Sequence, residues 1–168
     1  MRIRPVNAEE LPLLQDIERA AGQCFRDIGM AEIAEDEPLS VNELTCYQET
    51  GLAWTAVDAA DRPAAYLVAE YVDGNLHVEQ VSVHPAHARR GTGHALLNRL
   101  AAHAVAGGVP ALTLTTFTDV PWNAPYYARC GFRVIGDSGT GPGLREIRRR
   151  EAAHGLDRWP RVCMRREL

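Results

Sequence analysis

Val81-Ser82-Val83-His84-Pro85-Ala86-His87-Ala88-Arg89-Arg90-Gly91-Thr92-Gly93-His94-Ala95-Leu96-Leu97 is the stretch on which the reading of this chain turns. It begins as a strand, passes through a basic turn with glycines, and enters a helix. Such a junction is an anion cradle. The first amides of a helix have no intrahelical acceptor, and the helix dipole favours negative charge at that end. Gly91 and Gly93 let the backbone come close to a phosphate. Arg89 and Arg90 add positive charge and multiple donors. The helix continues through Leu96, Leu97, Leu100, Ala101 and Ala104 until Gly107-Gly108 stops it.

Upstream, Leu52 to Val57, Ala64 to Val72 and Leu76 to Val83 are apolar and rich in strand formers. Asp61-Arg62-Pro63 and Asp73-Gly74-Asn75 are turns between them. This is an antiparallel meander. Further back, Ile3-Arg4-Pro5-Val6 reads as a short strand. Asn7 with Glu10 is a capping box for a helix carrying Leu11, Leu14, Ile17 and Ala20 or Ala21, with Pro12 confined to its first turn. Cys24 to Thr50 is expected to hold a loop and one further helix. Downstream, Leu112 to Phe117 reads as a strand, Asn123 to Arg129 as a short helix, and Phe132 to Ile135 as a strand. Leu144 to Ala153 is a charged helix and Arg161 to Arg166 a last strand. The order predicts an α/β or α+β layered sheet with helices on both faces.

The chain has 168 residues, which suits one core and is short for two, so a single domain over 1–168 is expected. With 46% hydrophobic and 24% charged residues it has the composition of a soluble globular protein. No apolar run approaches the ~20 residues of a membrane span. Polar residues follow Met1 to Pro5, with no apolar signal core, so a cytoplasmic location is expected and no membrane partner. Cys24, Cys46, Cys130 and Cys163 lie far apart and form no Cys-x-x-Cys pair, which argues against a zinc site or a dithiol redox centre. The formal net charge of −4 argues against a nucleic-acid partner. It leaves room for a local basic pocket.

Three phosphate-binding readings compete for the opening stretch. A Walker loop needs Gly-Lys-Ser or Gly-Lys-Thr, and neither occurs. A dinucleotide fingerprint needs Gly-x-Gly-x-x-Gly in a parallel unit, but Leu96 holds the third glycine position and the strands before it read as antiparallel. The third reading fits. Val83-His84-Pro85 followed by Arg90-Gly91-Thr92-Gly93 resembles the pyrophosphate loop of the GNAT (GCN-five-related) N-acetyltransferase superfamily, whose pattern is Arg/Gln-x-x-Gly-x-Gly/Ala. The first Arg/Gln position is Ala88, and Arg89 is the residue that could substitute. Trp122-Asn123-Ala124-Pro125-Tyr126-Tyr127-Ala128-Arg129-Cys130-Gly131-Phe132 resembles the second signature of that family, a short helix ending in Tyr-x-x-x-Gly-Phe. The resemblance covers nearly the whole chain, best from Ala64 to Ile135. It implies a GNAT fold: a mostly antiparallel twisted sheet of about seven strands, flanked by helices, whose middle strands splay to admit the cosubstrate. It implies acetyl-CoA as acyl donor, no metal, and acetyl transfer to an amine of a small molecule or peptide. A noncatalytic acyl-CoA-binding module on the same fold is the alternative, and a homodimer is compatible with either.

The resemblance also distributes roles. The backbone of Val81, Ser82 and Val83 would hold pantetheine. Arg89, Arg90, Gly91, Thr92, Gly93 and His94 would hold the pyrophosphate. Asn123 has two readings, a CoA contact and a helix N-cap, and the cap is favoured. Strand alternation predicts His77, Glu79, Val81 and Val83 on one face. Glu79 is the favoured base, with His77 as partner or alternative, and solvated strand residues are the bland reading of both. Tyr127 matches the tyrosine placed near the CoA sulfur, against a bland reading as a packing tyrosine. His84, His87 and His94 lack ligand spacing and read as surface histidines. Arg145, Arg148, Arg149 and Arg150 read as a solvated helix face. The acidic run Glu32, Glu35, Asp36 and Glu37 reads as surface, on the segment where the family builds acceptor specificity.

Overall fold

Seven strands form one sheet in the order β1-β2-β3-β4-β5-β7-β6, in a computed structural model that describes residues 1–168. The strands are β1 (Arg2–Pro5), β2 (Ala53–Val57), β3 (Pro63–Val72), β4 (Asn75–Val83), β5 (Ala111–Phe117), β6 (Arg133–Ile135) and β7 (Arg161–Glu167). The helices are α1 (Leu11–Gly22), α2 (Ala31–Ala34), α3 (Val41–Glu49), α4 (Thr92–Ala106), α5 (Ala124–Arg129) and α6 (Pro142–Ala153). β4 and β5 run parallel, while β1–β2, β2–β3, β5–β7 and β6–β7 are antiparallel. This is the mixed α/β sheet that the element order predicts. No helix is long and apolar enough to cross a membrane.

The chain divides into two compact units, Met1–Ala69 with Glu79–Arg99, and Glu70–Val78 with Leu100–Leu168. In the first, α1 and α3 lay Leu11, Leu14, Ile17 and Leu44 on Ala53, Tyr66 and Val68. In the second, α6 lays Leu144 and Ile147 on Ile135 and Cys163, with Val72 beside them. Each helix thus buries the stripe its 3.6-residue period predicts.

Two departures have physical causes. The segment from Cys24 to Thr50 holds two helices, not one. Its second, α3, starts at Ser40, whose hydroxyl accepts from the Glu43 amide while the Glu43 carboxylate accepts from the Ser40 amide, at 3.1 and 3.2 Å. The helix α6 begins at Pro142, earlier than Leu144. The reason lies 70 residues away: Asp73, in the β3–β4 hairpin turn, accepts from the amides of Gly143 (2.8 Å) and Leu144 (3.0 Å). A carboxylate on the first turn satisfies orphan amides and complements the dipole. A Cβ at Gly143 would stand 2.7 Å from Val72 Cγ1 and 2.8 Å from Asp73 Oδ1, so glycine there permits the close approach.

Asp73→Ala should therefore lower the unfolding free energy by about 1–2 kcal/mol, the usual worth of a lost cap. Asp73→Asn should lose less, because asparagine keeps one acceptor oxygen and tolerates the backbone φ of +54°. Urea melts of the variants check this. Unchanged midpoints for both would show that the contact contributes nothing.

Candidate functional site

In the first unit, β4 runs into a short 3₁₀ turn, Pro85–His87, and then into α4. The imidazole Nδ1 of His84 accepts from the Ala86 amide at 3.1 Å, and the rings of His84 and His87 meet edge to face at 6.4 Å. These two histidines build the turn. No three His, Cys, Asp or Glu side chains are grouped to hold a metal.

The turn ends in an unusual backbone. Arg89 lies at φ +61° and Gly91 at φ +76°. A bulky side chain in the left-handed region is uncommon and costs about 1–2 kcal/mol. The carbonyl of Gly91 already accepts from the Ala95 amide at 2.9 Å. The amides of Thr92, Gly93 and His94 precede any possible intrahelical acceptor. A Cβ built on Gly91 would meet nothing within 4 Å, so the space beside Gly91 is open. The surface above them is basic, with Arg89 and Arg90 both exposed. The cradle has the room, the donors and the charge for a pyrophosphate.

β4 itself departs from simple alternation. Its pairing with β5 consists of Leu76↔Leu112 and His77↔Thr113 and then ceases, although β4 continues to Val83 and β5 to Phe117. On β3, Tyr66 and Val68 pack into the α1 core of the first unit, and Val72 packs beside the α6 core of the second. His77 is hydrogen-bonded through Nδ1 to Thr113 Oγ1 at 3.0 Å, with α6 charges acting on it. Ser82 is buried near Tyr66, whose pKa it lowers, and Gln80 Nε2 donates to Ser82 Oγ at 2.9 Å. The hairpin register would pair Val83 with Ala64, but the amide of His84 donates to the Ala64 carbonyl at 2.9 Å. β4 therefore carries one residue more than the hairpin register allows, a bulge between the turn and His84. An extra residue reverses the alternation of side chains between the two parts of a strand.

The candidate side chains stand in different surroundings. Glu79 is partly exposed. His77 is 1% exposed, and desolvation lowers its pKa to about 4, with Glu151 and Asp73 opposing and Arg150 adding to the shift. In the second unit, Tyr127 sits on α5 with its ring edge-on to Phe132 (6.0 Å) and Tyr126 (5.4 Å). Burial raises its phenol pKa above the ordinary value, and Tyr126 and Cys130 raise it further. Gly131, at φ +93°, ends α5 and returns the chain so that the Phe132 amide donates to the Tyr127 carbonyl at 3.0 Å. That turn is the structural reason for Gly-Phe after the helix. Asn123 occupies the N-cap position of α5, but its side chain makes no capping bond and donates instead to the Trp122 carbonyl at 3.0 Å.

A cavity of about 570 Å³ lies within the second unit and is lined by Arg145, Arg148, Arg149, Arg161, Asp137 and Asp157 among others. Its arginines are engaged. Arg148 bridges Glu151 and Asp157, Arg161 binds Glu151 and Thr115, and Arg149 binds Glu146.

The sequence matches a profile described as the acetyltransferase (GNAT) family over residues 14–132. Among solved structures, the chain resembles the PaiA N-acetyltransferase from Thermoplasma acidophilum in complex with coenzyme A. The identity is 15% and the TM-score 0.71, with 99% of this chain and 98% of that one covered. It resembles a GNAT-family acetyltransferase from Staphylococcus aureus with a TM-score of 0.75 at 12% identity, covering 99% and 98%. The ribosomal-protein-S18-alanine N-acetyltransferase from Escherichia coli is 20% identical, with a TM-score of 0.67 and coverage of 99% and 92%. At these identities the likeness establishes the fold.

The buried imidazole generates a pH prediction. Its folded pKa of about 4 lies below the ordinary 6.5, so the unfolded chain binds the extra proton first. Stability from this group is complete above pH 6.5 and is lost as pH falls toward 4, by about 3 kcal/mol in all at 1.36 kcal/mol per unit. His77→Gln, which keeps a hydrogen-bonding side chain, should flatten that dependence in urea melts between pH 7 and 4.5. An equal slope in both proteins would place the titrating group elsewhere.

Proposed function

Because the chain belongs to the GNAT acetyltransferase family, we propose that it transfers acetyl from acetyl-CoA directly to a primary amine of a small molecule or peptide. The observation that carries the reading is the cradle at Arg89–His94, with its left-handed Arg89 and Gly91 and the open space beside Gly91. The amides of Gly91, Thr92, Gly93 and His94 would hold the pyrophosphate, with Arg89 and Arg90 beside them. The β4 backbone from Val81 to Val83, which β5 does not pair, would hold the pantetheine arm. Asn123, which makes no capping bond, is a candidate for a further CoA contact. Acetyl-CoA supplies an activated thioester, and no metal is required.

What the protein must add is modest. The attacking amine must lose a proton, and the departing sulfur must be met by a donor as charge builds on it. Glu79 suits the first task, directly or through water, because it is the one partly exposed carboxylate on β4. His77 is poorly suited, since it is buried and its pKa is near 4. Tyr127 suits the second task, because its raised pKa keeps the phenol protonated at any working pH. A free thiol has a pKa of ~8.5, so this donor should help the reaction without being indispensable.

Two measurements test the reading. In calorimetry, Gly91→Glu should abolish acetyl-CoA binding, since a carboxylate would face the pyrophosphate. Gly91→Asn, which tolerates a left-handed φ, should bind more weakly than the wild type but measurably. Full affinity in the glutamate variant would remove the cradle from the account. In an amine screen read by thiol release, Glu79→Gln should lower kcat/KM by about 10²–10⁴-fold near neutral pH, with the gap closing as free amine becomes abundant. Tyr127→Phe should lower kcat with little change in acetyl-CoA KM or melting temperature. Binding of acetyl-CoA without turnover of any amine would favour a noncatalytic acyl-CoA-binding module.

A further inference from the structure

Arg145, Arg148, Arg149 and Ala152 recur at three- and four-residue spacing, so they share one face of α6. That face does not look only into solvent. Together with the start of β7 it fronts the cavity of about 570 Å³, whose other lining is partly apolar, with Ile135, Val162 and Cys163. A volume in this range suits a small ligand. The chain as a whole carries a net charge of −4, yet residues 137–161 hold six arginines against four carboxylates. A local positive excess in an acidic protein draws anions to that place.

The ion pairs of these guanidiniums fix them without saturating them. A guanidinium carries five N–H donors. Arg148 gives donors to Glu151 at 2.9 Å and Asp157 at 2.8 Å, and Arg149 gives one to Glu146 at 2.8 Å. Arg145 donates to a carbonyl, that of Asp137, at 3.3 Å rather than to a carboxylate. Arg161 is the most constrained. Its side chain is 7% exposed, its Cζ lies 4.4 Å from the Phe117 ring centroid, and one nitrogen serves both Glu151 and Thr115. Its Nε is buried with no hydrogen-bond partner. Glu151 meanwhile accepts from Arg148, Arg161 and Thr115 at once. A buried guanidinium that shares its carboxylate is incompletely compensated, and a further anion nearby relieves that cost.

We propose that the cavity between α6 and β7 binds a small molecule that carries an oxyanion group, a carboxylate or a phosphate, on an apolar body. Arg145 and Arg149, exposed on α6, receive the oxyanion, and Arg161, fixed on β7, adds charge shielded from water. The apolar body lies on Ile135, Val162 and Cys163. Guanidinium forks match carboxylate and phosphate alike, so the chemistry is common to both. The site lies wholly within the second unit, needs no acetyl-CoA, and does not rest on the transfer reading.

Calorimetry on the full chain tests this with phenyl phosphate, benzoate, inorganic phosphate and acetate as probes. Phenyl phosphate or benzoate should bind, and more tightly than inorganic phosphate or acetate, which lack the apolar body. The tighter of the two aromatic probes identifies the anionic group. Arg145→Gln and Arg149→Gln should each weaken binding about tenfold, the worth of one hydrogen bond to a charged group. Both side chains are exposed, so the melting temperature should hold. Arg161 stays intact in these variants, because its loss would strip Glu151 of a buried partner. Gly91→Glu should bind the aromatic probes with full affinity, which separates this site from the cradle at Arg89–His94. Amide resonance shifts on binding should concentrate at Ala152 and at 161–163. No binding of any probe, full affinity in the Arg145→Gln/Arg149→Gln double variant, or loss of binding in Gly91→Glu would overturn the proposal. Equal affinity for phenyl phosphate and inorganic phosphate would overturn the apolar half of it. Probe binding in a protein that acetylates no amine would contradict the transfer reading and leave this site standing.

Discussion

A strand paired along both edges has no backbone group left for a ligand. The single extra residue in β4 is the constraint on which the rest of this structure depends. It reverses the alternation of β4, and the pairing with β5 ends at His77↔Thr113. From there to Val83 the β5-side edge of β4 is not spent on a neighbouring strand. The same reversal decides which side chains meet which environment. His77 is drawn into the core against Thr113, Gln80 bonds Ser82, and Glu79 is left partly exposed. A regular strand would have separated Ser82 from Tyr66.

The buried polar side chains of His77 and Tyr66 are tolerated because each is tied to a particular partner. His77 stays neutral and bonds Thr113. Tyr66 bonds Glu18. Asp73 closes the first turn of α6, a helix whose outer face is densely charged. An unsatisfied buried polar group costs about 1–3 kcal/mol, so each pair also specifies which residues lie together. The strained Arg89 belongs to a different class. Its left-handed φ is held by the turn and by Gly91, and it contributes no core contact. Strain of this kind is retained where the backbone must present amides to a ligand.

Much of the fold was legible in the sequence, because it rests on local signals. The Asp73-Gly74 turn, the Gly107-Gly108 stop and the leucine stripe of α4 each act within a few residues. The glycine loop and the Tyr-x-x-x-Gly-Phe helix were legible for the same reason. Long-range pairing was not. Nothing near Pro142 announces Asp73 as its cap. Glu18 did leave a trace, standing four residues after Leu14 on an otherwise apolar stripe, yet its partner Tyr66 lies 48 residues on. The bulge was hidden because Leu76 to Val83 contains no glycine or proline to mark it. The Ser40–Glu43 box, by contrast, was a local signal in plain view that would have separated α2 from α3.

The central claim is that the released edge of β4 and the amides entering α4 together receive one acyl-CoA. Amide hydrogen exchange with and without acetyl-CoA tests it most directly. The account predicts new protection concentrated at 79–83 and 89–94. Protection absent from these amides and concentrated instead around Arg145 to Arg161 would contradict it.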